Sequence, residues 1–324
     1  MEAPPFTITP SIIDLVAEIA EKVGSMGLGD TEQSTPMLRR ENRIKSIHAS
    51  LAIENNTLSL EQVTAVLNGK HVLGPAKEIQ EVKNAFNAYE KLDEWKSFKL
   101  NHLLNAHALM MDKLVDHPGV LRTGGVGIAK GETIVHMAPP ASMVKGLIND
   151  LLLWLKATDV HPLIASCVFH YEFEFIHPFA DGNGRIGRLW QTLILSEWKA
   201  PLAYLPVEDL IRRNQQEYYD VLALCDKTAD SSKFIVFILN LLLQVLNQTH
   251  STDQVSDQVS DQVKSLLALL KNSPKSATEC MSQLGLNHRP TFRKNYLNPA
   301  LEIGLIERTI PDKPNSRLQK YRLS

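Results

Sequence analysis

Twelve consecutive residues restrict this chain more than any other feature: His177, Pro178, Phe179, Ala180, Asp181, Gly182, Asn183, Gly184, Arg185, Ile186, Gly187 and Arg188. An apolar, helix-forming run from Leu189 to Trp198 follows them. Two glycines placed where a loop turns into a helix permit backbone angles and close approaches that a side chain forbids. The first turn of such a helix carries unpaired N–H groups and the positive end of the helix dipole, so it seats phosphate. Arg185 and Arg188 stand three apart, share a face, and can grip neighbouring phosphate oxygens with planar forks. Asp181 supplies a carboxylate for a magnesium ion bridging those oxygens. His177 supplies an imidazole that titrates near neutral pH and can act as general base. The residues alone describe an anion site beside a proton acceptor, with room for a nucleoside triphosphate and a hydroxyl.

The run resembles the signature of the Fic family, His-x-Phe-x-(Asp/Glu)-Gly-Asn-Gly-Arg-x-x-Arg, at every specified position. The resemblance implies a nucleotidyltransferase, a protein adenylyltransferase that moves AMP from ATP onto a Ser, Thr or Tyr hydroxyl of a target protein and releases pyrophosphate. Carried over by position, His177 deprotonates the acceptor hydroxyl and Asp181 binds Mg2+. Asn183, with the backbone of Gly182 and Gly184, holds the α-phosphate, while Arg185 and Arg188 hold the outer phosphates.

Upstream, Ser50-Leu51-Ala52-Ile53-Glu54-Asn55 is similar to the Fic inhibitory motif, (Ser/Thr)-x-x-x-Glu-(Gly/Asn), in the subclass whose inhibitory helix precedes the core. The resemblance implies that Glu54 pairs with Arg188 and leaves ATP bound unproductively. A carboxylate on that guanidinium competes with phosphate for the same donors. Periodicity predicts helices around the motif. Ile12, Ile13, Val16, Ile19, Ala20 and Val23 repeat at three and four before a loop from Gly24 to Pro36. A second helix is expected from about Pro36 to Glu54, and a third after Ser59, which with Gln62 matches a capping box.

Further helices are expected at Lys77 to Trp95 and Leu100 to Val115, before a glycine-rich break from Gly119 to Val126. Glu132 to His136 is β-prone and ends at Pro139-Pro140, which predicts a short hairpin before a helix from Met143 to Leu155. By the resemblance this hairpin is the flap, whose Ile134, Val135 and His136 pair as a strand with the target segment. The helix from Pro162 to Ile176 is core, and His170 reads as a hydrogen-bonded core histidine, since no HExxH or Cys/His ligand set accompanies it. Between Pro206 and Thr228 the resemblance places Tyr218 against the adenine. Asp226 stands where Asn is usual; a carboxylate there accepts from the adenine amino group but cannot donate. An apolar helix from Phe234 to Leu246 closes the unit.

The remainder carries a different charge. From Val263 onward 11 Lys/Arg stand against 4 Asp/Glu, a balance of +7 in a chain whose net charge is −2. Helix, helix, the turn Gly285 to Asn287, a helix from Pro290 to Ile303 and a hairpin over Ile306–Ile310 and Leu318–Leu323 resemble a winged helix. Arg289, Arg293 and Lys294 open its presumptive recognition helix, and Lys313, Arg317, Lys320 and Arg322 lie on the wing, which suits DNA contact. A protein docking role is equally compatible with that fold.

The fold expected is all-α: a Fic helical fold with a short β-hairpin flap, plus a C-terminal winged-helix domain. A helical region at 1–104 carries the motif at 50–55, and a catalytic core occupies 105–250. The iterated Asp-Gln-Val-Ser at 251–262 forms a linker or a connecting helix, ahead of the winged helix at 263–324. At 324 residues and 44% hydrophobic the chain exceeds one ordinary domain and excludes a disordered protein. Three scattered cysteines without a CxxC, a start lacking a signal-like segment, and no apolar run near 20 residues lead to the expectation of a cytoplasmic protein without a membrane partner. ATP as substrate and Mg2+ are the small partners implied. The protein partner is a target bearing Ser, Thr or Tyr, the chain itself included, and a homodimer is compatible with the sequence. Three other readings stay open: a hydrolase in which Glu54 aligns a water to remove AMP, a DNA-binding regulator whose Fic unit senses nucleotide, and transfer of another phosphate-containing group as in the Doc branch, which lacks the intact Gly-Asn-Gly.

Overall fold

The structure is a computed structural model and describes residues 3–26, 36–130, 133–257, 261–271, 273–286, 288–302, 305–311, 313 and 316–323. The chain divides into two compact units, Met1–Asn247 and Gln248–Ser324.

The first unit is helical around two nearly all-buried helices, α7 (Pro162–Ile176) and α8 (Asn183–Trp198). A helix that is apolar all round must lie inside, and α7 meets that condition with eleven buried residues between Leu163 and Ile176. Helix α8 is buried from Arg185 to Leu195 although it carries Arg188, Gln191 and Thr192. Those polar groups are hydrogen-bonded, as buried ones must be. Trp190 Nε1 donates to the Ser97 carbonyl at 2.8 Å, and Thr192 Oγ1 to the Arg188 carbonyl at 3.1 Å.

The unit also holds α1 (Pro10–Met26), α2 (Pro36–Ile53), α3 (Leu60–Leu67), α4 (Ala76–Glu90), α5 (Leu100–Met110), α6 (Ala141–Ala157), α9 (Val207–Arg213), α10 (Gln215–Thr228) and the part of α11 (Ser232–Asp257) up to Asn247. Helix α3 opens with the expected capping box: Ser59 Oγ accepts from Gln62 N at 3.2 Å, and Gln62 Oε1 from Ser59 N at 2.9 Å. One hydrophobic cluster runs from Ile12 through Ile47, Val82 and Phe169 to Leu246, so a boundary between residues 104 and 105 does not divide the core. Ile13, expected on the apolar stripe of α1, is 57% exposed. Between Pro206 and Thr228 the chain forms two helices, α9 and α10, that part at Asn214, whose backbone leaves helical angles at φ −112, ψ 31. Strands β1 (Gly127–Lys130) and β2 (Thr133–Met137) form the hairpin, antiparallel, with a register shift between Ile128 and Ala129. Ile128 faces His136 and Ala129 faces Ile134, so Val135 is the extra residue of a bulge. The expected hairpin start at Glu132 and the interior of the Gly24–Pro36 loop lie outside the described residues.

The second unit contains α12 (Asp261–Leu270), α13 (Ala277–Gln283), α14 (Arg289–Phe292) continuing through a π turn (Arg293–Leu297) into α15 (Asn298–Glu302), then β3 (Ile306–Arg308) paired antiparallel with β4 (Tyr321–Leu323). A bridge from Lys275 to Tyr321 adds a short third edge, giving the order of a winged helix. Val263, Leu266, Cys280, Phe292, Leu297, Ile306 and Tyr321 form its own core. Arg289, Arg293 and Lys294 are exposed. Of the stretch 251–262, residues 251–257 end α11 and 261–262 begin α12, while 258–260, like Asn287 of the expected turn and Ile303, lie outside the described residues. No helix among the described residues is long and apolar enough to cross a membrane.

Candidate active site

The motif loop joins α7 to α8, and its shape follows from a few side chains that hold backbone. His177 caps α7 in the left-handed region, φ 49, ψ 63, with its N–H on the Phe173 carbonyl at 2.9 Å. Such angles are uncommon for a residue other than glycine, so the surroundings must impose them. Asn183 helps: its Oδ1 accepts from Phe179 N at 2.9 Å and its Nδ2 donates to Phe179 O at 2.8 Å. The Asn183 side chain, expected on the α-phosphate, is thus turned to the loop's own backbone. Gly182 stands at φ 83, and a Cβ there would also press on Met111 Sδ at 2.6 Å.

His107, from α5, stacks on Phe179 with ring centroids 3.7 Å apart. Gly119 N donates to its Nδ1 at 2.8 Å, so the proton sits on Nε2, which donates to the Asp181 carbonyl at 3.0 Å. Burial pushes its pKa below the ordinary 6.5 and keeps this imidazole neutral, against the Asp181 carbonyl bond, which acts in the opposite direction.

Asp181 Oδ1 accepts from Gly182 N at 2.6 Å and from Arg185 Nη2 at 3.1 Å. Arg185 Nη1 also reaches Glu81 Oε1 at 3.4 Å, and Glu81 Oε2 accepts from Asn56 Nδ2 at 2.8 Å. The Asp181 side chain is 51% exposed. No group of three or more His, Cys, Asp or Glu able to hold a metal occurs among the described residues. One open carboxylate fits magnesium held largely by phosphate and water, the usual arrangement for that ion. Arg185 and Arg188, expected to grip phosphate together, are held by separate partners.

Arg188 is the more deeply placed, with its side chain 1% exposed. Its Nε donates to Ser50 Oγ at 3.0 Å, and its Nη2 to Ser50 O at 2.9 Å and to Glu54 Oε1 at 2.8 Å. Burial lowers the Arg188 pKa, but Glu54, Tyr218 and Glu174 together outweigh it and the net shift is upward. Glu54 reaches this position because α2 ends one residue before it and Asn55 turns the chain at φ 68. Asparagine tolerates that left-handed angle, which accounts physically for a Gly/Asn position after the glutamate. The carboxylate lies directly on Gly184, where a Cβ would collide with Glu54 Oε1.

Glu54, His177, Gly184, Arg188, Tyr218 and Asp226 line one cavity of about 660 Å³, within the range for small-molecule sites. Asp181, Gly182, Asn183 and Arg185 shape the adjoining loop and first turn. At the far end Tyr218 is 2% exposed. Its hydroxyl donates to His170 Nε2 at 3.0 Å, because His170 Nδ1 must donate to Gln191 Oε1 at 2.6 Å. His170 is therefore a satisfied core histidine, its pKa pulled down to about 4 by burial, with the Gln191 bond opposing. Tyr219, 43% exposed and also lining the cavity, offers the accessible ring face. Tyr171 Oη donates to Asp226 Oδ1 at 2.9 Å. Glu172 behind them is pushed up to about 7 by burial and then by Asp226.

The sequence reading passed over Glu81, His107, Arg122 and Tyr219. His107 had a legible signal, a polar residue on the buried face of Leu103, Ala106 and Met110. Glu81 had none, since its partner Arg185 lies 104 positions away.

A model described as the Fic/DOC family matches residues 97–195, and one described as the C-terminal domain of "Filamentation induced by cAMP protein Fic-like" matches residues 261–324. The crystal structure of a Fic family protein from Desulfovibrio desulfuricans G20 is 57% identical, covering 100% of this chain and 98% of that one, with a TM-score of 0.77. Fic-1 from Caenorhabditis elegans, at 21% identity, shares the fold with a TM-score of 0.64 over 76% of this chain and 73% of its own. Protein adenylyltransferase Fic from Nematostella vectensis is 26% identical over 240 residues, 70% of this chain and 53% of that protein. The chain spans about half the length of this curated relative. With a relative so similar over its full length, and with the signature loop in place between α7 and α8, the chain belongs to the Fic family.

Proposed function

We propose that this protein transfers AMP from ATP to a Ser, Thr or Tyr hydroxyl of a protein, and that Glu54 restrains it. The observation that carries the reading is the Glu54–Arg188 ion pair, 2.8 Å long, lying on Gly184 inside the cavity that His177 also lines. The names of the curated relatives, protein adenylyltransferases, support the reaction class.

In the reaction His177 accepts the hydroxyl proton as the oxygen bonds to the α-phosphorus. The bond from that phosphorus to the bridging oxygen breaks, and pyrophosphate leaves with the electron pair. Backbone N–H groups at the start of α8 face the phosphates. Arg188, once released by Glu54, orients the γ-phosphate so that the leaving group lies in line. Mg2+ held by Asp181 would neutralise phosphate charge. The restraint is simple competition, because one guanidinium cannot donate the same N–H to a carboxylate and a phosphate.

Incubation of the Glu54→Gly protein with ATP labelled at the α-phosphate, followed by mass spectrometry of a lysate, tests the reading. Label on a protein hydroxyl, absent with His177→Ala, is expected. Label that persists in His177→Ala, or an absence of protein-bound AMP, would refute it, and loss of AMP from a pre-modified protein would favour the hydrolase instead.

For the second unit we propose contact with duplex DNA, favoured by the exposed Arg289, Arg293 and Lys294 at the start of the helical stretch that leads into α15. Such a face releases counterions on meeting phosphates.

A further inference from the structure

Arg122 sits where the hairpin, the end of α7 and the motif loop meet, and it is 6% exposed. The four bonds described for its guanidinium all end on main-chain carbonyls. Nε donates to His177 at 2.7 Å, Nη1 to Gly124 at 2.8 Å, and Nη2 to Pro139 at 2.6 Å and Ile176 at 3.2 Å. Its own N–H donates to the Pro178 carbonyl at 2.9 Å. The carbonyls of Ile176 and His177 belong to the C-terminal end of α7, where partners are lacking and a cation is favoured. Gly124 and Pro139 are the two feet of the hairpin, just before β1 and just after β2. Those feet are closed on each other by Ala138 N–H on the Val126 carbonyl at 3.2 Å. A buried cation is tolerated only while its donors stay bonded, so separating these segments is costly.

One side chain therefore spans two parts that the reaction needs at a fixed separation, the proposed base and the strand beside it. We propose that Arg122 is a positioning residue that ties the hairpin to His177, fixing the height at which a backbone-paired protein segment presents its hydroxyl to the imidazole. This rests on the AMP-transfer reading. Edge pairing fixes the target's backbone to the strand, the feet fix the strand to Arg122, and Arg122 holds the carbonyl of the base. Displacing such a joint by about 1 Å costs on the order of 10²-fold in rate. A lysine keeps the charge, but three donors on one nitrogen at the end of a flexible stem cannot serve four divergent carbonyls.

The test compares Arg122→Lys with its parent, both carrying Glu54→Gly. The ATP Kd is expected to stay within about twofold, while AMP transfer to protein falls by about 10²-fold, mainly in kcat. Hydrogen exchange over residues 124–139 is expected to accelerate while that of α8 stays unchanged. Unchanged transfer, or ATP binding lost in parallel with transfer, would overturn the proposal. If the parent itself transfers no AMP, the reaction class is at fault. The exchange measurement then decides the joint alone, and unchanged exchange over 124–139 refutes it. If Arg122→Lys does not fold, the parent supplies the decision: ATP should slow exchange at the Arg122 and Ala138 amides together. Protection confined to the motif loop would refute the joint.

Discussion

Removing the Glu54 carboxylate should activate the protein by about two orders of magnitude, and the size follows from the ion pair. Arg188 donates to Glu54 at 2.8 Å with its own side chain 1% exposed and the carboxylate 35% exposed. A charge-assisted bond contributes about 1.5–3 kcal/mol net, and the open side of Glu54 argues for the middle of that range, about 2–2.5 kcal/mol. Phosphate must displace that bond before the γ-phosphate is oriented. At about 1.36 kcal/mol per decade, the expected gain is roughly 30- to 70-fold, and somewhat more because the carboxylate also leaves the space above Gly184.

The assay is the initial rate of label transfer from α-phosphate-labelled ATP at saturating nucleotide, with ATP binding measured calorimetrically. Arg188→Ala also breaks the pair, but it deletes the group that orients the leaving pyrophosphate, so activity stays low. The double variant should match Arg188→Ala alone, the non-additivity expected of two residues acting through one contact. A folded, ATP-binding Glu54→Gly protein with the wild-type rate would refute the reasoning and leave Glu54 as a helix-end carboxylate.

Asp181→Ala should abolish magnesium dependence along with transfer, whereas full activity in excess chelator would contradict the assignment. Asn183→Ala removes both bonds to the Phe179 backbone; it should lower activity by about 10²-fold, with a stability loss of about 1–3 kcal/mol by urea melts. His170, held at about 4 against an ordinary 6.5, stays neutral in the fold while the unfolded chain takes up a proton, so stability is present above pH 6.5 and lost as pH falls towards 4. Glu172, raised to about 7 from 4.5, acts oppositely, its stabilisation present below pH 4.5 and lost as pH rises through 7. Each contribution amounts to about 3 kcal/mol, and His170→Gln and Glu172→Gln should each flatten its own limb of the urea midpoint against pH. Mixed-sequence duplex DNA should bind with steep salt dependence, Arg293→Ala should reduce that slope by about one, and salt-independent binding would remove the DNA reading.

The fold class and the motif were legible because their signals are local. Helix periodicity, the Ser59 capping box and a loop between two apolar helices each lie within one stretch of chain. The pairing of Glu54 with Arg188 was legible too, since Glu54 and Asn55 occur at a helix end where a left-handed residue must follow. What escaped was the scaffolding that holds backbone. Arg122 binds carbonyls of residues 124, 139, 176 and 177, and a carbonyl has no residue type to be read. Asn183 was expected on phosphate for a related reason: its type announces hydrogen bonding, while the direction of the amide depends on where Phe179 turns. For Arg185 and Arg188, spacing fixes where a side chain leaves the helix. It does not fix which carboxylate, Asp181 with Glu81 or Glu54, meets it.

The same contrast bears on how the proposed restraint would be lifted. Ser50 rides in the last turn of α2 and Glu54 just beyond it, and the buried Ile47, Leu51 and Ile53 of α2 belong to the same hydrophobic cluster as α7 and α8. Withdrawing the whole helix would expose that apolar surface at about 25 cal/mol per Å², far more than the single ion pair contributes. The proposed restraint is therefore cheapest to lift just past the last turn of α2, where Glu54 and Asn55 lie outside the helix and are exposed. Breaking the Glu54–Arg188 pair needs only rotation of one glutamate side chain or loss of the left-handed turn at Asn55, with α2 still packed and the Arg188 bonds to Ser50 kept. A substitution that strains that turn, Asn55→Val, should thus raise AMP transfer while leaving the unfolding midpoint nearly unchanged. Activation accompanied by global destabilisation would instead place the control in the packing of α2.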